Sequence, residues 1–499
     1  MRIVLWDTRR GDVSKDFAGG FGVGQYHGGG GPAGRIVRWG FKRDRRPTAL
    51  VFAYLAAIFR RLGHQVEYAL DRLPAGADLY VFNPALITLA LERKAIAAVL
   101  RQTPRPRVLV TGLTAYTLPE AFRGLDVTLV RGEAEQLLWK LDEVLDAGAA
   151  SVDVGSVRDL DELPFPDWSA FESRRFRIAY DFWKFPTALI QQSRGCTFTC
   201  NYCPYIIVEN AIRFRRPERV VDEMRAGIEA HGFRSFKFRD PLFGLDRKRV
   251  LRMAELIGGL PKKVQFSIEG RIDLLRPDVL KELKRVGLTS VTVGIETPDE
   301  RTLRDHKRAP VSDDRQREFV ALCRRLGIRT VAGFMIGFPG DTRQSIEDVL
   351  KYAKRVGPTF ANFNVVTPYP GTEFFQQVKS EIADFDFTRY DVYTPVMKYR
   401  HLTHDEVRKL HTRCFVSYYF RSRYFVENGR LLWPWLDALR LGRKHDLEHE
   451  HAPAVDVAGP QAPTSPRGKL TTGNLRTDPA HVARADRQGT PSTPRKRDA

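Results

Sequence analysis

Residues 191–205 read QQSRGCTFTCNYCPY, and three of the chain's five cysteines, Cys196, Cys200 and Cys203, fall within it as C-x-x-x-C-x-x-C. Thiolate sulfur is the favoured ligand of iron–sulfur clusters. A cluster of four irons held by three local thiolates keeps one iron open to an outside ligand. Zinc, the rival occupant, favours a closed set of four ligands. Neither a histidine nor a fourth cysteine stands nearby to close such a set, and the nearest remaining cysteine is Cys323. The alternative without a metal is three buried thiols gathered by chance, and clustering this tight argues against it.

The cysteines follow an apolar run at residues 187–192 that reads as a strand. Further strand candidates lie at 235–238, 264–268, 290–294, 330–336 and 362–366, with helical stretches at 217–231, 247–258, 277–286, 313–326 and 345–356. Six strands with intervening helices predict a partial (β/α)6 barrel over residues 186–400, with its site at the strands' C-terminal ends. Residues 1–150 alternate in the same way, with strands at 1–7, 65–69, 79–82, 107–111 and 127–130 and helices at 49–63, 85–102 and 136–145. The fold class is therefore α/β, beginning with an open, Rossmann-like parallel sheet whose ligands sit beyond the strands' carboxyl ends. Residues 151–185, with DLDELPFPD at 159–167, read as a connector. Residues 401–449 read as a helical C-terminal region, and 450–499, poor in large apolar residues, as a disordered tail. The aromatics of 404–444 recur at helical spacing, which predicts a helix packed across the barrel; Trp433 and Trp435 are what a membrane-surface helix would offer instead.

Composition narrows the class. Five cysteines in 499 residues exclude a disulfide scaffold. No apolar run is long enough to cross a bilayer, and MRIVLWDTRRGD lacks the features of a secretory signal, so a cytoplasmic location is expected. The net charge of +20 comes from Arg and Lys spread along the whole chain. Such charge argues for solubility rather than a dedicated nucleic-acid surface, and no RNA-binding or helix-turn-helix pattern accompanies it.

At the cysteines, with Tyr202 before the third of them, the sequence resembles the radical S-adenosylmethionine (SAM) superfamily. The resemblance implies a [4Fe–4S] cluster on Cys196, Cys200 and Cys203. SAM would chelate the open iron through its amino and carboxylate groups and be cleaved to a 5′-deoxyadenosyl radical. Surrounding segments match in order. FRDPLF at 238–243 resembles the F-x-D-D-x-F motif of the cobalamin-associated branch, with Arg239 and Asp240 as cofactor-binding candidates and Pro241 at the second acidic position. Arg271 in SIEGRID looks like the arginine that faces the methionine carboxylate, and Glu296 in VGIET like the carboxylate on the ribose hydroxyls. GFMIGFPGDT at 333–342, containing Gly337 and Pro339, resembles the segment beside the adenine, and TPYPGT at 367–372 recurs in the same branch.

VRGE at 130–133 and an α/β domain ahead of the barrel also resemble the cobalamin-binding members. The motif D-x-H-x-x-G, which supplies a cobalt ligand, is absent, and His27 and His64 are the only histidines of residues 1–150. The glycine-rich loop at 19–31 could approach a phosphate or corrin side chains, or serve as a lid. The resemblance implies a cobalamin-dependent methyltransferase acting on a carbon or phosphorus centre of a small-molecule, lipid or peptide substrate. An outside electron donor such as flavodoxin or ferredoxin would reduce the cluster. The other enzymatic reading is a non-methylating radical reaction such as cyclisation, ring rearrangement or epimerisation. The non-enzymatic reading is an iron–sulfur redox sensor bound to nucleic acid.

Overall fold

The computed structural model describes residues 1–8, 13–24, 48–176 and 186–429. His27, most of the loop at 19–31, Trp433, Trp435 and the tail from 450 lie outside those residues. Both sheets belong to one compact unit.

The first sheet contains β1 (Arg2–Asp7), β2 (Gln65–Leu70), β3 (Leu79–Phe82), β4 (Arg107–Val110), β5 (Thr128–Gly132) and β6 (Ser151–Gly155). It is parallel throughout, in the order β2-β1-β3-β4-β5-β6. The order reverses between β1 and β3, the topological switch point at which open α/β sheets bind ligands beyond their carboxyl ends. β6 corrects the expectation of a connector from residue 151. Its SVDVG is mostly exposed, as suits an edge strand, and five residues with a single buried valine give little periodic signal.

The second sheet contains β7 (Thr187–Ile190), β10 (Ser235–Phe238), β11 (Gln265–Gly270), β12 (Leu288–Glu296), β13 (Arg329–Ile336) and β14 (Phe360–Val365). Between β7 and β10 a short antiparallel pair forms, β8 (Ser193–Arg194) with β9 (Arg213–Phe214). The six longer strands are parallel and sequential, from β7 at one edge to β14 at the other. Helices Pro217–His231, Arg247–Gly258, Pro277–Arg285, Asp313–Arg325 and Arg343–Val356 make the crossovers.

The two faces of this sheet differ. Phe236, Phe238, Phe266, Ile268, Val291, Val293, Phe334 and Phe363 belong to the apolar core. The residues that alternate with them are Lys237, Ser267, Glu269, Thr292, Asn362 and Asn364. All-parallel sheets are usually apolar on both faces, so a polar face marks the side on which ligands rather than helices are met.

Helix His404–Tyr419, opened by a Thr403–Glu406 capping box, packs on β14: Phe415 lies edge-on to Phe363 at 5.4 Å and the His411 ring hydrogen-bonds the Phe363 carbonyl at 2.8 Å. Residues 13–24 strap the two sheets together. Lys15 pairs with Asp7 at 2.7 Å and Glu92 at 2.5 Å, the Asp16 carboxylate accepts from the Leu50 amide at 2.8 Å, and Phe21 stacks on Tyr369 at 5.3 Å.

Candidate functional site

The cysteines occupy a loop closed at its base by the β8/β9 pair. Gly195 opens it with φ +89°, and a Cβ there would lie 2.2 Å from the Ala211 carbonyl oxygen, so only glycine lets the strands approach this closely. The Cys196 amide donates to the Asn210 carbonyl at 3.1 Å, and the Cys203 amide to that of Cys200 at 3.0 Å. All three thiols are free. Burial pushes Cys196 up and Cys203 to about 12, and the other cysteines of the loop add to both. Left alone, Cys196 and Cys203 would keep their protons; a bound metal would favour their thiolates. Among the described residues no three His, Cys, Asp or Glu side chains converge on a single ion. A cubane takes each thiolate at a separate iron and needs no such convergence.

Asp240, completely buried, accepts hydrogen bonds from the amides of Gln192 and Ser193 and from the Ser193 hydroxyl at 2.7 Å. Burial raises its carboxyl to about 7 against the pull of these donors. Asp240 thus holds the stem of the cysteine loop rather than facing the thiols. Its neighbour Arg239 pairs with Glu269, donates to the Asp16 carbonyl and covers the Phe17 ring at 4.2 Å.

Arg271 is near Cys196, lies over the Phe198 ring at 4.1 Å and is gripped by both oxygens of Asp273 at 3.0 Å. Its Nη1 is buried without a hydrogen-bond partner, as is the Tyr202 hydroxyl. Both can donate to a ligand's oxygen. Glu296 ends β12 at a register shift, with φ +70°, a backbone region that costs a β-carbon residue of order 1 kcal/mol or more. Its carboxylate pairs with Arg308 at 3.3 Å, and burial raises its pKa although Arg308 and Arg271 pull it down. Gly337 and Pro339 follow β13: the Gly337 amide donates to Asp341 at 2.7 Å, and the Pro339 carbonyl accepts from the Arg400 amide at 3.0 Å. Cysteines, Tyr202, Arg271 and Glu296 are therefore neighbours; Arg239 and Asp240 serve the loop stem and the strap.

Between the carboxyl edges of the two sheets lies a cleft enclosing about 1130 Å³ of space, its open mouth included. One wall carries Asn83, Gly112, Gly132 and Glu133 from the ends of β3, β4 and β5; the other carries Gly195, Pro204, Tyr205 and Arg239. Arg194, two residues before the first cysteine, reaches across to Glu135 at 2.6 Å and Glu133 at 3.7 Å, and Arg213 grips Glu133 with two hydrogen bonds of 2.8 and 2.9 Å. Burial alone would raise the Glu133 carboxyl, but these arginines outweigh it and hold it low. No histidine lines the cleft among the described residues. His64 sits at the opposite, amino edge, against the N-terminal amine at 3.5 Å.

Residues 190–353 match the model of the radical SAM superfamily. The chain carries a radical SAM domain. Such a domain uses a [4Fe–4S] cluster and SAM and requires a reductant. Around the radical SAM domain the likeness extends further. An uncharacterized methyltransferase of Pyrococcus horikoshii is 25% identical over 60% of this chain and 69% of its own length. An anaerobic magnesium-protoporphyrin IX monomethyl ester cyclase of Cereibacter sphaeroides is 28% identical over 62% and 52%. A hopanoid C-3 methylase of Methylococcus capsulatus is 26% identical over 69% and 72%. These alignments thus span between about half and seven-tenths of the relatives. In fold, the chain is similar to the cobalamin-dependent SAM radical enzyme OxsB (TM-score 0.62, 13% identity, 90% of this chain and 76% of that one). It is also similar to the radical SAM methyltransferase TsrM of Kitasatospora setae (TM-score 0.54, 15% identity, 77% and 76%). No helix among the described residues is long and apolar enough to cross a membrane.

Arg308, Arg194, Glu135 and Lys15 were not marked by the motifs. Glu133 lies in VRGE and Arg194 beside Cys196, which are the signals that pointed nearest to them. HKRAP around Arg308 carries none.

Proposed function

We propose that this chain is a cobalamin-dependent radical SAM enzyme that transfers a methyl group to an unactivated carbon or phosphorus centre of a small-molecule, lipid or peptide substrate. The observation that carries this reading is the single cleft into which both sheets turn their carboxyl edges, with the cysteine loop forming one wall. The fold likeness to two cobalamin-binding enzymes and the methyltransferase names of the relatives point the same way. We read the sequential second sheet as a partial barrel around the polar face, and residues 1–150 and 186–400 as the corrin-facing and radical-forming domains. A cytoplasmic setting and a flavodoxin- or ferredoxin-type donor suit three unpaired thiols and a low-potential cluster.

The residues present fit the cofactors. Three thiols, with no fourth ligand beside them among the described residues, suit a cluster with an open iron. Arg271 Nη1 and the Tyr202 hydroxyl, both buried and unpartnered, offer donors to SAM oxygens, and Glu296 offers acceptors. In the cleft, backbone at Gly20, Gly112 and Gly132 lets a broad ring approach closely, and Glu133, Glu135 and Glu209 offer acceptors for amide side chains. The Lys15 ammonium is held between Asp7 and Glu92 and so is not available to a metal. When bound, the cluster with SAM supplies the organic radical and cobalamin supplies a transferable methyl group. The chain's own part is to fix the loop stem through Asp240, to join the two walls through Arg194 and Arg213, and to shield the cleft with the strap.

The test is anaerobic reconstitution with iron and sulfide, addition of hydroxocobalamin, reductant and SAM, and measurement of both adenosyl products. Deoxyadenosine together with S-adenosylhomocysteine is expected. Deoxyadenosine alone, with cobalamin bound and a true substrate present, would favour the second reading, a ring-forming reaction like that named for the Cereibacter relative. Deoxyadenosine from Cys200→Ala protein would remove the cluster assignment.

A further inference from the structure

Between the second and third cysteines stands Asn201, only 4% exposed. All four of its polar atoms are engaged by two segments more than a hundred residues further along the chain. Its amide donates to the His306 carbonyl at 3.2 Å, and its own carbonyl accepts from the Phe374 amide at 2.9 Å. Its side-chain nitrogen donates to Gln377 Oε1 at 2.9 Å, and its side-chain oxygen meets His306 Nδ1 at 3.1 Å.

The directions of these bonds follow from one end. Glu373, paired with Lys307 at 2.6 Å, is a carboxylate and only accepts. Gln377 therefore donates its Nε2 to it, at 3.0 Å, which turns Gln377 Oε1 towards Asn201. Asn201 Nδ2 donates there and leaves Oδ1 to accept from His306 Nδ1. Lys307 follows His306 in the chain, so the side chains close a ring of five: His306, Asn201, Gln377, Glu373 and Lys307. Lys307 takes φ +56°, a conformation that persists in a β-carbon residue only where its surroundings hold it. The His306 ring is fixed on two further sides, stacked on Phe338 at 4.7 Å and edge-on to Phe374 at 5.2 Å. TPYPGT ends at Thr372, which caps the short helix Glu373–Gln377 by accepting from the Phe375 amide at 3.2 Å. That helix brings Glu373, Phe374 and Gln377 to the cysteine loop.

We propose that Asn201 is a positioning residue for the cluster: it clamps the turn between Cys200 and Cys203, so that both sulfurs are in place before the irons arrive. The inference rests on the reading of the three cysteines as cluster ligands. The Cys203 amide donates to the Cys200 carbonyl at 3.0 Å, so the turn moves as one piece and fixing its middle fixes both ends. A loop already ordered does not pay for its ordering when the ligand binds, and supporting hydrogen bonds keep such a constellation in register. Asn201 touches no iron in this role; it acts through the cysteines on either side of it.

The experiment uses the full-length protein reconstituted anaerobically with iron and sulfide. It follows the rate at which a ferrous-iron chelator strips the cluster and the electron paramagnetic resonance of the reduced cluster, with urea unfolding of the cluster-free protein beside them. Asn201→Ala should lose iron about tenfold faster than wild type, the effect of two hydrogen bonds of ordinary net strength. It should also change the line shape of the reduced cluster, which a loss of global stability does not move. Asn201→Asp keeps the acceptor for His306 but sets an oxygen against Gln377 Oε1, and should lose iron faster too. Adding Gln377→Lys to it restores a donor and should bring iron loss back to within about threefold of wild type. Should Asn201→Ala take up too little iron to follow, the Asp variant with and without Gln377→Lys decides. Unchanged iron loss and line shape in Asn201→Ala, or no recovery on adding Gln377→Lys, would overturn the assignment. A wild-type protein that holds no four-iron cluster would instead remove the reading on which it rests.

Discussion

The arginine latch across the cleft gives a prediction whose size can be worked from the structure. Arg194 and Glu135 meet at 2.6 Å with side chains 12% and 6% exposed. Two unit charges about 4 Å apart attract by about 4 kcal/mol at an effective dielectric near 20, and the cost of drying both ions returns part of that. Glu135→Gln leaves Arg194 with Glu133 at 3.7 Å, so a loss of about 2 kcal/mol is expected. Arg194→Met strips a partner from both carboxylates and should cost about 3–4 kcal/mol, the range for breaking a buried pair. The double variant should cost less than the sum by about 1–2 kcal/mol, as coupled neighbours do. The assay is urea unfolding of the cluster-free protein for wild type, both singles and the double. If the singles add to within about 0.3 kcal/mol, Arg194 and Glu135 do not act as a pair and the latch is only a crossing of side chains.

Gly294→Ala should fold, by circular dichroism, yet bind SAM at least tenfold more weakly after reconstitution, because the new methyl displaces Glu296 and Arg308; equal affinity by calorimetry would contradict this. Asp240→Asn exchanges a carboxylate that accepts three hydrogen bonds for an amide that mismatches them, and should cost about 1–3 kcal/mol of stability in urea. Burial lowers His411 to about 4 from an ordinary value near 6.5. The unfolded chain therefore binds the extra proton first, and stability is lost as pH falls from about 6.5 to 4, by about 3 kcal/mol in full. His411→Gln should flatten that acid limb in melting curves taken at pH 7 and pH 5; an unchanged slope would place the acid sensitivity elsewhere.

What could be read from the sequence was local. Ligands of one cluster recur at short spacing because one loop must wrap one object, which is why Cys196, Cys200 and Cys203 stand out in the sequence as the proposed ligands. Parallel strands buried on a helix-covered face announce themselves too, through runs such as those of β3 and β13. β6 did not, because an exposed edge strand of five residues has almost no apolar pattern. Asp240 was visible as a residue, but whether it faces a cofactor or the Ser193 amide depends on the loop's path. Arg308 was invisible: nothing in HKRAP encodes where its guanidinium ends. For His64 the deciding fact was the edge of the sheet on which it stands.

The strap formed by residues 13–24 bears on how separable the two halves of this protein are. Phe17 lies under Arg239 and Phe21 against Tyr369, so groups on or beyond the second sheet owe their surroundings to the first two dozen residues. A fragment beginning at residue 186 would keep every cysteine yet expose Arg239, Tyr369 and the flank of the loop to water. Modularity, in this chain, is a property of the secondary structure and not of the chemistry: the halves can be drawn apart on paper, but the chamber belongs to neither.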